Sequence, residues 1–392
     1  MLMLLCTACG GSDSEPVGGG VNDKPTTHQL QINIFTPEHP VVTRSDEPVL
    51  VKSNDDENVN SLDVWVVVSG EKTTEHFTAG KVVGHLSLEI DKPESFEGGT
   101  YQMSVNEDFV KELPKVNVYV TANVKPENTG ITLTASSSDN AFETATLSGG
   151  YFGLTPSLTT QVPIEGLPMS GVLKNQEINA IHTPLLSVAT PVTVVRAVSK
   201  IRFIFSRSDT GETDQLHINR ISLKENMIPA EEYLFLEGPY DTYRKNIKGS
   251  TYLDAQDLST GLDNIPTSTY PARYAYDPDK LKGQDYEDEI YKGLHGYYSE
   301  GEYIKDEETP ELVELCYYLR ESDKQLEGTI YYSIGNGEEK STVFKMASSD
   351  NFTRNHTWIV YGYFTGKETL TISSIDVTEW DQKNTGHDIY NW

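Results

Sequence analysis

Apolar residues recur at every second position through much of this chain. Leu30, Ile32 and Ile34 alternate with Gln31 and Asn33. Leu62, Val64, Val66 and Val68 repeat the pattern, with Trp65 and Val67 on the opposite face. Val116, Val118, Val120, Ala122 and Val124 alternate with Asn117, Tyr119, Thr121 and Asn123. Ala197, Ser199, Ile201, Phe203 and Phe205 share one face, opposed by Arg196, Lys200 and Arg202. A period of two is that of a strand, whose side chains point to the two faces in turn, whereas a helix would group positions three and four apart. The body is therefore predicted to be all-β. Gly335-Asn336-Gly337, between Thr329–Ile334 and Ser341–Lys345, marks a hairpin turn. Helix is predicted only over the short stretches Asn106–Leu113 and Pro278–Ile290, and no heptad or fixed-period repeat is present.

Many short strands separated by turns favour sandwiches over a single closed barrel. At 392 residues the chain is long for one core. A division is expected near Leu186–Pro191, before a long strand Val192–Phe205. The predicted organisation is a leader and tether over 1–28, a first sandwich over 29–187, and a second over 188–392 that ends in a strand appendage. Tyr252–Gly301 is rich in Tyr, Asp and Pro and reads as a surface excursion of the second unit.

Composition narrows the function classes. There are 31 Lys and Arg against 59 Asp and Glu, a net charge of −28. Such a balance repels phosphate backbones, which argues against nucleic acid as a partner, and it reads as a solvated acidic surface. Hydrophobic residues make up 37%, enough to build packed cores. Of the three cysteines, Cys6 and Cys9 fall in the leader. Cys316 is then alone in the strand-like run Leu312–Leu319, so no intrachain disulfide is expected and the thiol reads as a small buried hydrophobe.

The first residues bear on location. Met1–Ala8 is a short apolar run that closes on small residues before Cys9, which reads as the end of a secretion signal and is too short to span a bilayer. Leu5-Cys6-Thr7-Ala8-Cys9-Gly10 resembles a bacterial lipobox, which implies acylation of Cys9 and attachment to the outer membrane. The Gly-rich, polar stretch from Gly10 to Gly20 reads as a tether.

Catalytic patterns are not found: the sequence holds no H-E-x-x-H, G-x-G-x-x-G or G-x-S-x-G. Its nine histidines are scattered singly, without the spacing of a metal pair on one strand face. Asn54–Asn58 lacks the glycine and closing glutamate of an EF-hand loop, and Asp285–Glu289 reads as a solvated charge run. No enzyme, metal or cofactor is expected.

Several segments taken together resemble the fimbrillin superfamily of Bacteroidales. They are the lipobox-like leader, Val59–Val66, Leu167-Pro168-Met169-Ser170-Gly171, Val195–Ile201, and Arg354–Tyr361 followed by Ile372–Trp380. The resemblance implies two transthyretin-like β-sandwich domains, export as a lipoprotein, and no catalytic site. It also implies that an Arg-specific, trypsin-like protease removes the lipidated first strand. A strand of another subunit then fills the groove, and repetition gives a head-to-tail fibre that serves adhesion. Leu30, Ile32 and Ile34 are the expected removable strand. Arg44, the one basic residue of the loop Pro40–Asp46, is the expected processing site, with cleavage at Arg44–Ser45. Ile389, Tyr390 and Trp392 are the candidate donor segment. Rival expectations are a membrane-retained anchor that keeps its first strand, a tip adhesin, or a glycan-binding surface lipoprotein using Tyr270–Tyr276 and Tyr297–Tyr303.

Overall fold

The alternating segments become strands in a computed structural model. It describes residues 28–36, 58–70, 74–93, 96, 98–148, 166–182, 185–207, 216–235, 251–258, 296–299, 302–305, 314–345, 353–355, 357–365, 369–377 and 389–391. In chain order the elements begin β1 (His28–Phe35), β2 (Ser61–Val68), β3 (Val82–Glu89), β4 (Gly98–Val105), α1 (Glu107–Glu112), β5 (Val116–Ala122), α2 (Pro126–Thr129), α3 (Asp139–Glu143) and β6 (Thr146–Ser148). There follow β7 (Met169–Gln176), β8 (Ile178–His182), β9 (Leu185–Val188), β10 (Val192–Thr193), β11 (Val195–Arg196), β12 (Ser199–Arg207), β13 (Leu216–Leu223) and β14 (Glu231–Tyr233). The last are β15 (Gln256–Leu258), β16 (Gly296–Ser299), β17 (Glu302–Lys305), β18 (Glu314–Leu319), β19 (Glu327–Ile334), β20 (Lys340–Lys345), β21 (Thr357–Thr365), β22 (Thr369–Val377) and β23 (Ile389–Asn391).

Four sheets carry the fold, an all-β sandwich architecture. The first has the order β10-β1-β9-β8 with β4 on the other side of β1; the second runs β11-β7-β5-β2-β3. Their facing sides enclose one core, in which Leu30, Ile32 and Ile34 meet Val64, Val66, Val118 and Val120. The third sheet is β18-β12-β21-β22-β23 and the fourth β15-β13-β19-β20. Between them lies a separate core around Ile201, Phe203, Phe205, Ile221, Tyr317 and Phe344.

The central strands β2 and β5 of the second sheet are buried on both faces. Trp65, Val67 and Tyr119, the outward residues of β2 and β5, are covered by Phe142, Leu147, Leu234 and Phe235. Tyr119 and Phe142 stack at 4.5 Å, and Phe235 meets Tyr119 edge-on at 5.0 Å. The near-continuous apolar sequence of β2 is what two-sided burial requires.

Two local expectations correspond to elements. The Asn106 side chain accepts from the Phe109 N–H at 2.9 Å and caps α1, while Leu113 closes it in the left-handed region at φ 42°. Gly335 has φ 55° in the turn joining β19 to β20, and the Gly337 N–H donates to Ile334 at 3.0 Å. Pro278–Ile290 lies outside the described residues, as does the side chain of Cys316 on β18.

One expectation is corrected. Val192–Phe205 is not a single strand: β10 joins the first sheet, β11 the second and β12 the third. The reason is that both faces are apolar through the bend. Val192, Val194, Val195, Ala197 and Val198 are all buried, so the chain can serve one core after another. Arg196 and Lys200, on the face opposite Ala197, Ser199 and Ile201, are buried as well. The chain thus stays in the first two sheets until Arg196, beyond the expected division.

A strap from the second half reaches back to the first. β14 pairs with β6, and the Leu234 N–H donates to Ala145 at 2.9 Å. Ser170 Oγ donates to the Leu234 carbonyl at 2.5 Å.

Candidate functional site

β1 is the element on which the predicted removable strand falls, and it is an interior strand. On one side it pairs antiparallel with β4 over eight positions, from His28↔Val105 to Phe35↔Gly98. On the other, Gln29–Gln31 run parallel to Leu185–Ser187 of β9, and Ile34–Phe35 parallel to Val192–Thr193 of β10. The Val194 N–H adds a bond to the Phe35 carbonyl at 2.9 Å. One wall is thus a continuous strand and the other is two short strands in succession.

The side chains divide cleanly. Leu30, Ile32 and Ile34 are 0% exposed and sit in the first core. Each contributes about 1.5–3 kcal/mol by leaving water. Between them, Gln29 donates to Ser104 Oγ at 3.2 Å and Asn33 Oδ1 accepts from Thr100 Oγ1 at 2.8 Å, both on the exposed face. Gly98 sets the end of the seam. It has φ 127°, and a Cβ there would fall 2.4 Å from the Ile34 carbonyl oxygen, so only glycine lets the strands approach this closely.

If β1 were withdrawn, β4 on one side and β9 with β10 on the other would lose their hydrogen-bond partners. The apolar interior beneath Leu30, Ile32 and Ile34 would open to water. A slot of that kind is satisfied only by another extended segment, because backbone donors and acceptors and apolar pockets must be filled together.

The candidate donor residues Ile389 and Tyr390 lie in β23, which pairs antiparallel with β22 through Ser374↔Tyr390 and Ile375↔Ile389. This segment forms the edge of the third sheet. Cys9, Arg44, Ser45 and Trp392 lie outside the described residues, as do Asn54–Glu57, Tyr270–Tyr276 and Asp285–Glu289.

Among the described residues, one group has the donor types of a metal site: ligand atoms of Glu75, His76 and Glu112 lie within 4.8 Å of one another. The His76 N–H donates to Glu112 Oε2 at 3.2 Å, and its ring Nδ1 contacts Glu112 Oε1. Hydrogen bonding to Glu112 raises the His76 pKa, and Thr74 and His76 lower that of Glu112. The group behaves as an exposed ion pair joining a loop to the end of α1.

Sequence patterning missed a buried polar cluster beside the strap. Arg354, Glu232 and Asn355 are 0% exposed, and Glu321, Arg320 and Arg196 are nearly so. These residues are scattered along the chain, and each alone looks like a surface charge.

No protein-family model matches the chain, and no curated protein matches it in sequence. Solved structures do match it. A protein of Parabacteroides distasonis, provisionally described as a cell adhesion protein, superposes with a TM-score of 0.50 over 94% of this chain and 97% of its own, at 13% identity. Another so described, from Bacteroides eggerthii, has a TM-score of 0.47 over 91% of this chain and 98% of its own, at 11% identity. The tip fimbrial protein Mfa3 of Porphyromonas gingivalis, with a C-terminal truncation, has 0.45 over 93% and 100%, also at 11% identity. The first of these likenesses establishes a shared fold over nearly the whole chain.

Proposed function

We propose that the protein is a fimbrial structural subunit serving cell adhesion, exported as a lipoprotein through Cys9 and polymerised by strand exchange after cleavage at Arg44–Ser45. The observation that carries the proposal is the place of β1, an interior strand near the chain start held by ladders on both sides and by three fully buried aliphatic residues. Arg44 lies between β1 and β2 in sequence, so cleavage there leaves β1 bound only by non-covalent contacts. A strand of another subunit then takes its place. Because the donor and acceptor surfaces differ, the contact is head-to-tail and propagates as a fibre.

The fold shared with a protein described provisionally as a cell adhesion protein supports this reading. So does the resemblance to fimbrillins in the sequence. The partners are other pilus subunits and an Arg-specific protease, and no catalytic role is assigned. A second reading, a tip or anchor subunit, draws on β23, which is engaged with β22 of its own chain rather than offered as a donor.

The test is intact mass and N-terminal sequencing of protein recovered from the cell surface, with Arg44→Ala beside it. A mature chain beginning at Ser45, and a variant that stays lipidated and unpolymerised, are the expected results. A chain that begins only at acylated Cys9 removes the polymerising role and leaves the anchor.

A further inference from the structure

Among the described residues, a group of buried charge lies where the strap meets the ends of β18 and β21. The Arg354 guanidinium donates through Nε and Nη2 to Glu321 Oε1 at 2.9 and 2.7 Å. It also donates through Nη1 to the Leu234 carbonyl at 2.9 Å and through Nη2 to that of Tyr233 at 2.7 Å. Arg320 Nη1 donates to the Pro229 carbonyl at 3.2 Å. Three backbone carbonyls of the strap are thus held by two arginines from outside it. Asn355, next along, accepts from Arg196 of β11 at 3.2 Å. A buried ionic group of this kind adds little stability over an apolar replacement, and its best-attested use is to fix one arrangement over others.

Glu232 is the irregular member. It stands on β14 itself, 0% exposed. Its Oε2 accepts only the Glu321 N–H at 3.2 Å and lies 3.8 Å from Arg354 Nη2, and its Oε1 has no hydrogen-bond partner. Arg354 is already committed to Glu321 and two carbonyls. An ionised carboxylate in that place would hold a full charge with one oxygen unserved, whereas a neutral acid leaves only a modest polar deficit. The charged groups facing it are Arg354, Glu321 and Arg320, with Glu231 acting on Arg320. Burial raises the Glu232 pKa to about 8, with Glu321 adding to the rise and the arginines opposing it. Glu321 is also raised by burial, against the pull of Arg354.

We propose that Arg354, Glu321 and Glu232 form a proton-operated clasp that ties the strap 229–235, itself seated on the first sandwich through β6, to the β18 and β21 ends of the second, and that loosens when Glu232 loses its proton. Below the ordinary carboxylate range Glu232 is neutral whether the strap is closed or open. Above it, the open strap lets Glu232 ionise while the closed strap does not, so opening gains up to tenfold per pH unit until the buried acid itself ionises. The clasp is tightest in acid and loosest at mildly alkaline pH. It acts on the junction between the halves and is independent of strand exchange at β1.

The test is hydrogen exchange on the full chain between pH 5 and 8.5, corrected for intrinsic rates, with Glu232→Gln beside the wild type. Protection over 229–235 and 353–355 is expected to fall across that window, by about tenfold per pH unit at the steepest, while β5 and β12 keep theirs. Glu232→Gln, which holds the shape without the ionisation, is expected to stay protected throughout. A flat wild-type profile, or a variant that follows the wild-type slope, overturns the proposal. If the variant does not fold, infrared spectroscopy of the wild type decides. A protonated carboxyl band at neutral pH upholds the clasp and its absence overturns it.

Discussion

Two segments of this chain cross to structure they are distant from in sequence, and they are held by opposite means. β1 is gripped by backbone ladders on both sides and by Leu30, Ile32 and Ile34 in an apolar interior. The strap around β14 is gripped by Arg354, Glu321 and Arg320. Apolar packing against a ladder asks mainly for aliphatic bulk at alternate positions, a demand that other segments with that pattern also meet. A guanidinium fork between fixed acceptors asks for one side chain in one pose. The first grip suits a segment that many sequences could fill, the second a segment with a single seat to leave and return to.

Substitutions at three positions would break or sharpen this contrast. Arg354→Ala leaves Glu321 without its cation and is expected to cost about 3–5 kcal/mol, read from the denaturant midpoint of a reversible transition. Arg354→Lys should recover little, since an ammonium cannot reproduce the planar fork. Recovery to wild-type stability would mean that the strap is held by charge alone. Ile32→Ala should cost about 2–4 kcal/mol, and here Ile32→Leu should restore all but about 1.5 kcal/mol. If leucine is as damaging as alanine, the seam of β1 is a shaped lock rather than an interchangeable fit. Asn33→Thr, on the outward face beside Thr100, should stay within about 0.5 kcal/mol in the same assay. A larger loss there would give the polar face of β1 a share in the grip.

The alternating pattern made much of the fold legible. Leu30–Ile34, Leu62–Val68 and Val116–Ala122 lie in β1, β2 and β5 as their period requires, and the Gly335–Gly337 turn stands between β19 and β20. Where the pattern misled, a residue had two neighbourhoods to satisfy. The period through Val192–Phe205 is that of one strand, yet apolar residues on both faces let the chain bend through three sheets. Lys200 has the sequence signature of a solvent-facing position, but it is buried with its ammonium 5.8 Å from the Tyr318 ring. The seam of β1 was readable as a strand, while its walls were not, because β4, β9 and β10 come from far along the chain. The cluster at Arg354 left no local trace, since Glu232 and Glu321 meet only after the sheets have formed.

The bend through β10, β11 and β12 also decides how the molecule carries load. β10 lies beside β1, and a few residues later β12 is paired with β18 on one side and β21 on the other. A pull along β12 runs parallel to its strands and across its hydrogen bonds, which lie perpendicular or slanted to the strand axis. Many bonds along each ladder then resist at once, where peeling would break them singly. In a fibre built by strand exchange at β1, tension entering at that seam would reach the second half through this stretch of chain and through the strap, and would load β12 in shear.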